Sequence, residues 1–243
     1  MTERDEIVCI IPARGGSKGI PNKNLADLEG KPLLEWSIAG AKASHGVDRV
    51  IVSTDSDEIA ALACKCGAEV PYMRPEQLAG DEIHAVHVVL HALDWLEQEE
   101  NYRPAGAMML LPTSPLRLLA DIDGVVDLFR NKKAPSVVGV VDLGKYMTNL
   151  RYIDDRRLIR VAPDENPNAQ RQGLNKLFAV NGSIFLARSD VLRNEETFHA
   201  NGALAYVMDS LSSIDINCLD DLLLARKIAS AFEPWKSWKK NNL

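Results

Sequence analysis

The sequence predicts an α/β protein organised as a doubly wound, mostly parallel sheet. Three observations carry that prediction. Short aliphatic runs alternate along the chain with longer segments whose apolar residues recur at helical spacing. The runs Ile7 to Ile11 and Ala107 to Leu111 are apolar throughout instead of alternating, as strands are when helices cover both faces of a sheet. A cationic, glycine-rich stretch follows the first run, at the carboxyl edge where open α/β sheets bind ligands.

The elements follow in order. After the first strand and its loop, Lys31 to Ser44 reads as a helix, with Leu33, Leu34, Trp36, Ile38, Ala39 and Ala41 facing a sheet. A strand over 48–53 leads to a helix from Ser56 to Cys66 that Gly67 stops, then a short strand reaching Tyr72. Next come a helix over 82–98, the buried strand ending in Pro-Thr-Ser-Pro, a helix over 120–131 and a strand over 136–141. Residues 142–176 break the rhythm, with charge, Asn and Pro around two short apolar pieces, 150–153 and 158–161. So long a structureless loop is unusual in a compact domain, so a projecting hairpin is expected there. Strands over 178–187 and 203–208 and a helix over 218–230 complete the series, within one domain spanning 1–243.

Composition excludes several functions. Hydrophobic residues make up 46% and charged residues 26%, ordinary for a globular protein, and no apolar run approaches the ~18 residues of a membrane span. The polar, acidic stretch Met1 to Glu6 lacks the apolar core of a signal peptide, so a cytoplasmic location is expected. A net charge of −6 argues against nucleic-acid binding, which needs a basic face. Cys9, Cys64, Cys66 and Cys218 have neither zinc-ribbon spacing nor disulfide density and read as free thiols.

The opening loop, Ile11 to Leu25, sets Arg14, Lys18 and Lys23 among Gly15, Gly16 and Gly19. Cations beside a backbone free to approach a ligand closely suit a polyphosphate. The spacing is neither that of the dinucleotide fingerprint nor that of the Walker loop.

This loop resembles the signature loop of the acylneuraminate cytidylyltransferases, and the resemblance continues in the family's order. It runs through Ile51 to Ala60, Arg74 to Ala79, Leu111 to Arg117, Val180 to Phe185 and Ser213 to Ile216. It implies a Rossmann-like nucleotidyltransferase fold and transfer of CMP from CTP to the anomeric hydroxyl of a nonulosonic acid, with release of pyrophosphate. It also implies magnesium as cofactor and a homodimer, with 142–176 at the dimer contact and closing the sugar pocket. By the same resemblance Arg14 and Lys23 contact the triphosphate and leaving group, and Ala13, Gly15, Ser17, Lys18 and Asn24 complete the nucleotide loop. Arg74 lies near the cytidine. Thr113, Ser114, Asn181, Arg171 and Gln172 match acceptor-side positions, Arg171 facing the substrate carboxylate. Asn181-Gly182 reads equally as a turn or bulge.

The chain departs from the family in places. Asp215 stands where the family holds magnesium, but the second carboxylate of that site is Asn217, which alternatively caps the helix beginning near Cys218, with Asp220 at its third position. Asp55 reads as a helix cap or a further carboxylate at the sheet edge. Leu111 replaces a glutamine, Ala179 an arginine found in some members, and Phe185 a tyrosine, and Asp81 to Ala85 lacks a usual Ser/Thr cluster. All of these remove hydrogen-bonding groups from the sugar side, which points away from N-acetylneuraminate and toward pseudaminic, legionaminic or related acceptors. Two other readings stay open: a nucleotidyltransferase for a sugar 1-phosphate, and a relative that binds nucleotide without transferring it.

His84, His87 and His91 fall on one helix face, where packing is favoured over zinc. Trp235 and Trp238, among Lys236, Lys239 and Lys240, are expected in a tail folded back on the body.

Overall fold

The computed structural model describes residues 4–17, 19–144, 147–161 and 176–242. Lys18, Arg171 and Gln172, all assigned to the site from sequence, lie outside them. β1 (Arg4–Pro12) leads through a single turn of 3-10 helix (Lys23–Leu25) to a small hairpin, β2 (Asp27–Leu28) and β3 (Lys31–Pro32). Then come α1 (Leu33–Ala43), β4 (Arg49–Ser53), α2 (Asp57–Lys65), α3 (Ala85–Glu100), β5 (Pro104–Leu110), α4 (Leu119–Lys132) and β6 (Ser136–Asp142). After them stand β7 (Arg151–Asp154), β8 (Arg157–Arg160), β9 (Phe178–Arg188), α5 (Ser189–Glu195), β10 (Leu204–Met208), α6 (Leu219–Ala231) and α7 (Glu233–Asn242).

Six strands form the main sheet in the order β10-β6-β9-β5-β1-β4. Every neighbouring pair is parallel except those of β9, which runs antiparallel to both β5 and β6. Parallel pairing needs a crossover, commonly an α-helix, whereas the described part of the connection from β6 to β9 carries one turn of 3-10 helix (Met147–Asn149) and the β7–β8 pair but no α-helix. This is the mostly parallel, helix-covered sheet expected from the sequence.

Alternate strand residues bury on opposite faces. Ile7, Cys9 and Ile11 join Val52, Leu110 and Leu186 under α1, α2 and α4, while Val8 and Ile10 join Ile51, Met109 and Phe185 under α3 and α5. Double-sided burial is why these strands lack polar alternation. A third cluster lies beyond α1, where Trp36 packs with Ile216, Leu222, Trp235 and Trp238 of the C-terminal region.

Three expectations are corrected. The strand near Tyr72 reduces to two isolated parallel bridges, Ile51 with Glu69 and Thr54 with Met73. The short helix α5 was not expected. The tail does fold back, but as a ten-residue helix, α7, whose Trp235 is fully buried. Pro234 fits its first turn, where a proline costs no helical hydrogen bond. Within the excursion expected over 142–176, β7 pairs with β8 as a hairpin, Ile153 standing opposite Leu158, while 145–146 and 162–175 lie outside the described residues.

Candidate active site

β1, β4 and β5 are parallel, so the loops that follow them emerge at one edge of the sheet. There an open cleft of about 240 Å³ is lined by Arg14, Ser17, Lys23, Asn24, Arg74, Leu111 and Thr113, among others. The opening loop is fixed from several sides before any ligand is considered. The backbone N–H of Ala13 donates to the Ser53 carbonyl at 3.0 Å, and the Asn24 side-chain amide donates to the Arg14 carbonyl at 2.9 Å. Asp55 Oδ1 accepts from the Gly15 N–H at 2.8 Å. Asp55 is therefore the anchor of the glycine loop and not the cap of α2, which is Ser56, accepting from the Ile59 N–H at 3.4 Å. Ala13 is buried, so its side chain belongs to the core.

The glycines divide their work. A Cβ on Gly16 would meet nothing within 4 Å among the described residues, which leaves room for a ligand beside that backbone. One on Gly19 would stand 2.3 Å from the Asn217 carbonyl oxygen, so the close approach required here is to the chain itself. Gly19 thereby brings the opening loop against the segment carrying Asp215.

The cations are poised by backbone oxygens. Lys23 Nζ donates to the Ile216 carbonyl at 2.9 Å, and its pKa lies below the ordinary lysine value because half-burial penalises the charge, an effect that Asp215 opposes. Arg74 is 7% exposed, with Nε donating to Ser53 Oγ at 3.2 Å and Nη2 to the Ser53 carbonyl; burial lowers its pKa, against the pull of Asp55. Arg14 donates to the Ala79 carbonyl at 3.3 Å and pairs with Asp81, so an incoming polyanion would exchange one carboxylate for several phosphate oxygens.

Asp215 is half-buried. Its buried Oδ1 has no hydrogen-bond partner among the described residues, and its Oδ2 accepts from the Asn217 amide at 2.8 Å. An amide that exchanges its nitrogen for its oxygen by a half-turn presents a second oxygen at the same place. One carboxylate and one amide oxygen suit a hard divalent cation that fills its shell with water and phosphate oxygens. Among the described residues no three His, Cys, Asp or Glu side chains group as metal ligands. Asn217 does not cap α6. Cys218 does, and Asp221, not Asp220, is the third helical residue, accepting from the backbone N–H groups of Cys218 at 2.9 Å and Asn217 at 2.8 Å. Those two N–H groups lower the Asp221 pKa.

Leu111 and Ala85 also line a second cavity of about 500 Å³, which shares these two wall residues with the first. Its walls include Met109, Phe185 and Phe198, with His84, His87 and His199 around them. Phe185 packs against Phe198 at 5.5 Å between ring centroids and meets His199 edge-on at 6.1 Å. Leu111 and Phe185 of this wall were placed on the acceptor side from sequence, whereas Phe198 and His199 were not, because they follow α5 and carry no local pattern. His91 does not join His84 and His87 on the wall. It packs edge-on against Tyr72 at 4.8 Å, and burial lowers its pKa.

Two acceptor-side assignments are turned inward. Ser114 is fully buried, its hydroxyl has no partner among the described residues, and it does not line the cleft. Asn181 is spent on the fold: its amide donates to Ser213 Oγ at 2.9 Å and to Met208 Sδ at 3.1 Å, and its oxygen accepts from the Ser183 N–H at 3.1 Å. Gly182 has φ of 71°, and the β6–β9 register shifts between Val138 and Val140, so Asn181-Gly182 is the bulge that re-aims β9. Sequence reasoning also gave Arg117 no role. It is fully buried, donating to the Leu111 carbonyl, to Ser37 Oγ at 2.9 Å and to Ser183 Oγ at 3.2 Å, and burial lowers its pKa to about 10.

A family model described as cytidylyltransferase matches residues 8–189. The chain is 35% identical over 223 residues to an N-acylneuraminate cytidylyltransferase of Escherichia coli, covering 91% of this chain and 52% of that protein, so it spans about half of that relative's length. It is 33% identical over 224 residues to the CMP-N,N'-diacetyllegionaminic acid synthase of Legionella pneumophila, covering 91% of this chain and 95% of that one. Among solved structures it resembles a CMP:2-keto-3-deoxy-manno-octonic acid synthetase complexed with CTP, with TM-score 0.68 and 16% identity over 93% of this chain and 98% of the other, a likeness of fold.

Proposed function

The chain belongs to the cytidylyltransferase family, and from that premise we propose that it transfers CMP from CTP to the anomeric hydroxyl of a nonulosonic acid. The observation that carries this reading is a pair of neighbouring cavities with opposite characters. Arg14, Lys23 and Arg74 line a polar one at the sheet edge, and Leu111 also lines an apolar one large enough for a substituted sugar. In the reaction the hydroxyl oxygen attacks the α-phosphorus, the bond to the β-phosphate oxygen breaks, and pyrophosphate leaves as the hydroxyl proton is released. Such transfer depends mainly on alignment and on neutralising charge. Arg14 and Lys23 hold the triphosphate and take up the charge that grows on the leaving group. Ser17, Asn24 and the open backbone at Gly16 complete the phosphate cradle, with Lys18 in the same loop, and Arg74 supports the nucleoside end. Leu111, Thr113 and Phe185 shape the acceptor side, and Arg171 with Gln172 supplies the contact to the acceptor carboxylate.

Magnesium is the proposed cofactor; Asp215 and the amide oxygen of Asn217 would hold it, and it would supply positive charge to the phosphates. Asn217→Asp restores a second carboxylate and is expected to lower the magnesium concentration giving half-maximal rate several-fold. An unchanged or raised requirement overturns the assignment.

An acceptor with apolar or acylated substituents, of the legionaminic or pseudaminic kind, suits the second cavity better than N-acetylneuraminate. Pyrophosphate release from CTP, magnesium and a panel of nonulosonic acids tests the whole reading, and silence across the panel sinks it. CTP binding by calorimetry without any turnover would instead select a nucleotide-binding relative, the reading that the missing carboxylate at Asn217 favours.

A cytoplasmic homodimer completes the proposal. Val180, Val140 and Val207 share one register row across β9, β6 and β10, and Val180 and Val207 are 49% and 56% exposed. Phe178, two residues before Val180 on β9, is exposed as well, as are Ile153 and Leu158 on the β7–β8 hairpin, and these are the apolar side chains a second copy would cover. Sedimentation velocity tests this, and a monomer at micromolar concentration refutes it.

A further inference from the structure

We propose that Trp235, on the C-terminal helix α7, is a positioning residue for the site, fixing through one indole hydrogen bond the loop that joins the acceptor side to the Asp215 segment. Its effect on turnover rests on the transfer reading above; its effect on the loop does not.

Trp235 is fully buried and its ring lies 4.7 Å from that of Trp36. Its Nε1 donates to the Pro115 carbonyl at 3.2 Å. Pro115 belongs to the turn between β5 and α4 that carries Leu111 and Thr113 into the cleft. Two residues back, the Thr113 carbonyl accepts from the Ile216 N–H at 2.8 Å, and the Ile216 carbonyl accepts from Lys23 Nζ at 2.9 Å. A continuous path therefore runs from the indole through the turn, past Asp215, to the cation of the opening loop. The same three segments each sink one apolar residue, Ile20, Leu116 and Ile216, into the cluster that holds Trp36 and Trp235. The other end of the turn is fixed independently by Arg117 on the Leu111 carbonyl. Without the indole N–H the Pro115 carbonyl loses its partner, and the link from the turn to Ile216 is free to open.

A matched control lies in the same cluster. Trp36 is equally buried, and its Nε1 donates to the Leu28 carbonyl at 3.1 Å, in β2 and off the path to Asp215. Trp235→Phe and Trp36→Phe each keep an aromatic ring and delete one buried N–H bond. In the full chain, Trp235→Phe is expected to lower kcat about tenfold with KM for CTP changed less than about twofold, the pattern of a lost transition-state alignment. In the ligand-free protein it is expected to speed hydrogen exchange at the Ile216 amide about fivefold to tenfold, as loss of one hydrogen bond allows. Trp36→Phe is expected to lose comparable thermal stability with neither effect. Equal effects in the two variants, or no acceleration at Ile216 in Trp235→Phe, overturn the proposal. A wild-type protein inactive with every acceptor refutes the transfer reading alone, and the exchange contrast still decides the role of Trp235.

Discussion

The two cavities of the candidate site are built in opposite ways. On the nucleotide side, Lys23, Asn24 and Arg74 each donate to a backbone carbonyl, and Gly15 is held by Asp55. On the acceptor side the lining near the junction is hydrocarbon, from Leu111, Met109, Phe185 and Phe198, shaped by packing against α3 and the segment after α5. On the proposed reading, charge and direction for the triphosphate would be prepared in advance, so that little reorganisation would remain for the reaction. For the acceptor the site would offer shape, and reject by leaving polar groups unpaired. A change on the first side should act on rate with every acceptor, and one on the second should act on the ratio between acceptors.

The largest effect tests the nucleotide half. Arg14→Ala is expected to lower kcat/KM by about 10²–10³, the cost of deleting one donor aimed at developing charge, whichever acceptor is used. Its contact with Asp81 is a partly exposed ion pair, worth about 0–1 kcal/mol, so the melting temperature should barely move. Undiminished activity refutes the assigned role, and a loss confined to one acceptor breaks the division between halves.

Leu111→Gln tests the other half. The new amide faces the junction of the two cavities and should raise kcat/KM for N-acetylneuraminate relative to a di-N-acylated acceptor by about tenfold, the scale of one hydrogen bond gained in a buried site. CTP affinity, read by calorimetry, should stay within about twofold. An unchanged acceptor ratio would show that Leu111 does not set the preference.

The same contrast decided what could be read from the sequence. The nucleotide half lies in one loop after the first strand, so a local pattern of glycine and cations announced it, and the flanking apolar runs placed it at the sheet edge. Its anchors were less legible. Asp55 stands 40 positions from the Gly15 N–H it accepts, and only the parallel pairing of β1 with β4 brings the two together. The acceptor half draws on α3, β5, β9 and the segment after α5, whose meeting depends on β9 entering the sheet antiparallel. Asn181 shows the same limit: its residue type suits a pocket or a bulge equally, and only the register shift beside Gly182 decides. Trp235 carried a visible apolar signal, but no pattern in the sequence connects it to Pro115.

The smallest effect sharpens the account of Lys23. Burial lowers its pKa in the folded chain, while the unfolded chain keeps the ordinary value of 10.5. Between those two values the unfolded state binds the extra proton, so stability rises with pH there, and below the lowered value the full penalty for burying the charge remains. Relative to Lys23→Met, the wild-type protein should therefore gain stability as pH rises from neutral toward 10.5, as thermal unfolding of the ligand-free proteins would show. Catalysis needs the charged form and should move the other way. kcat/KM, which reports ionisations of the free enzyme, should begin to fall below 10.5, whereas kcat should hold to higher pH because bound phosphates favour the ammonium. If both parameters fall together, the triphosphate does not reach Lys23, and the leaving-group contact passes to Arg14 alone.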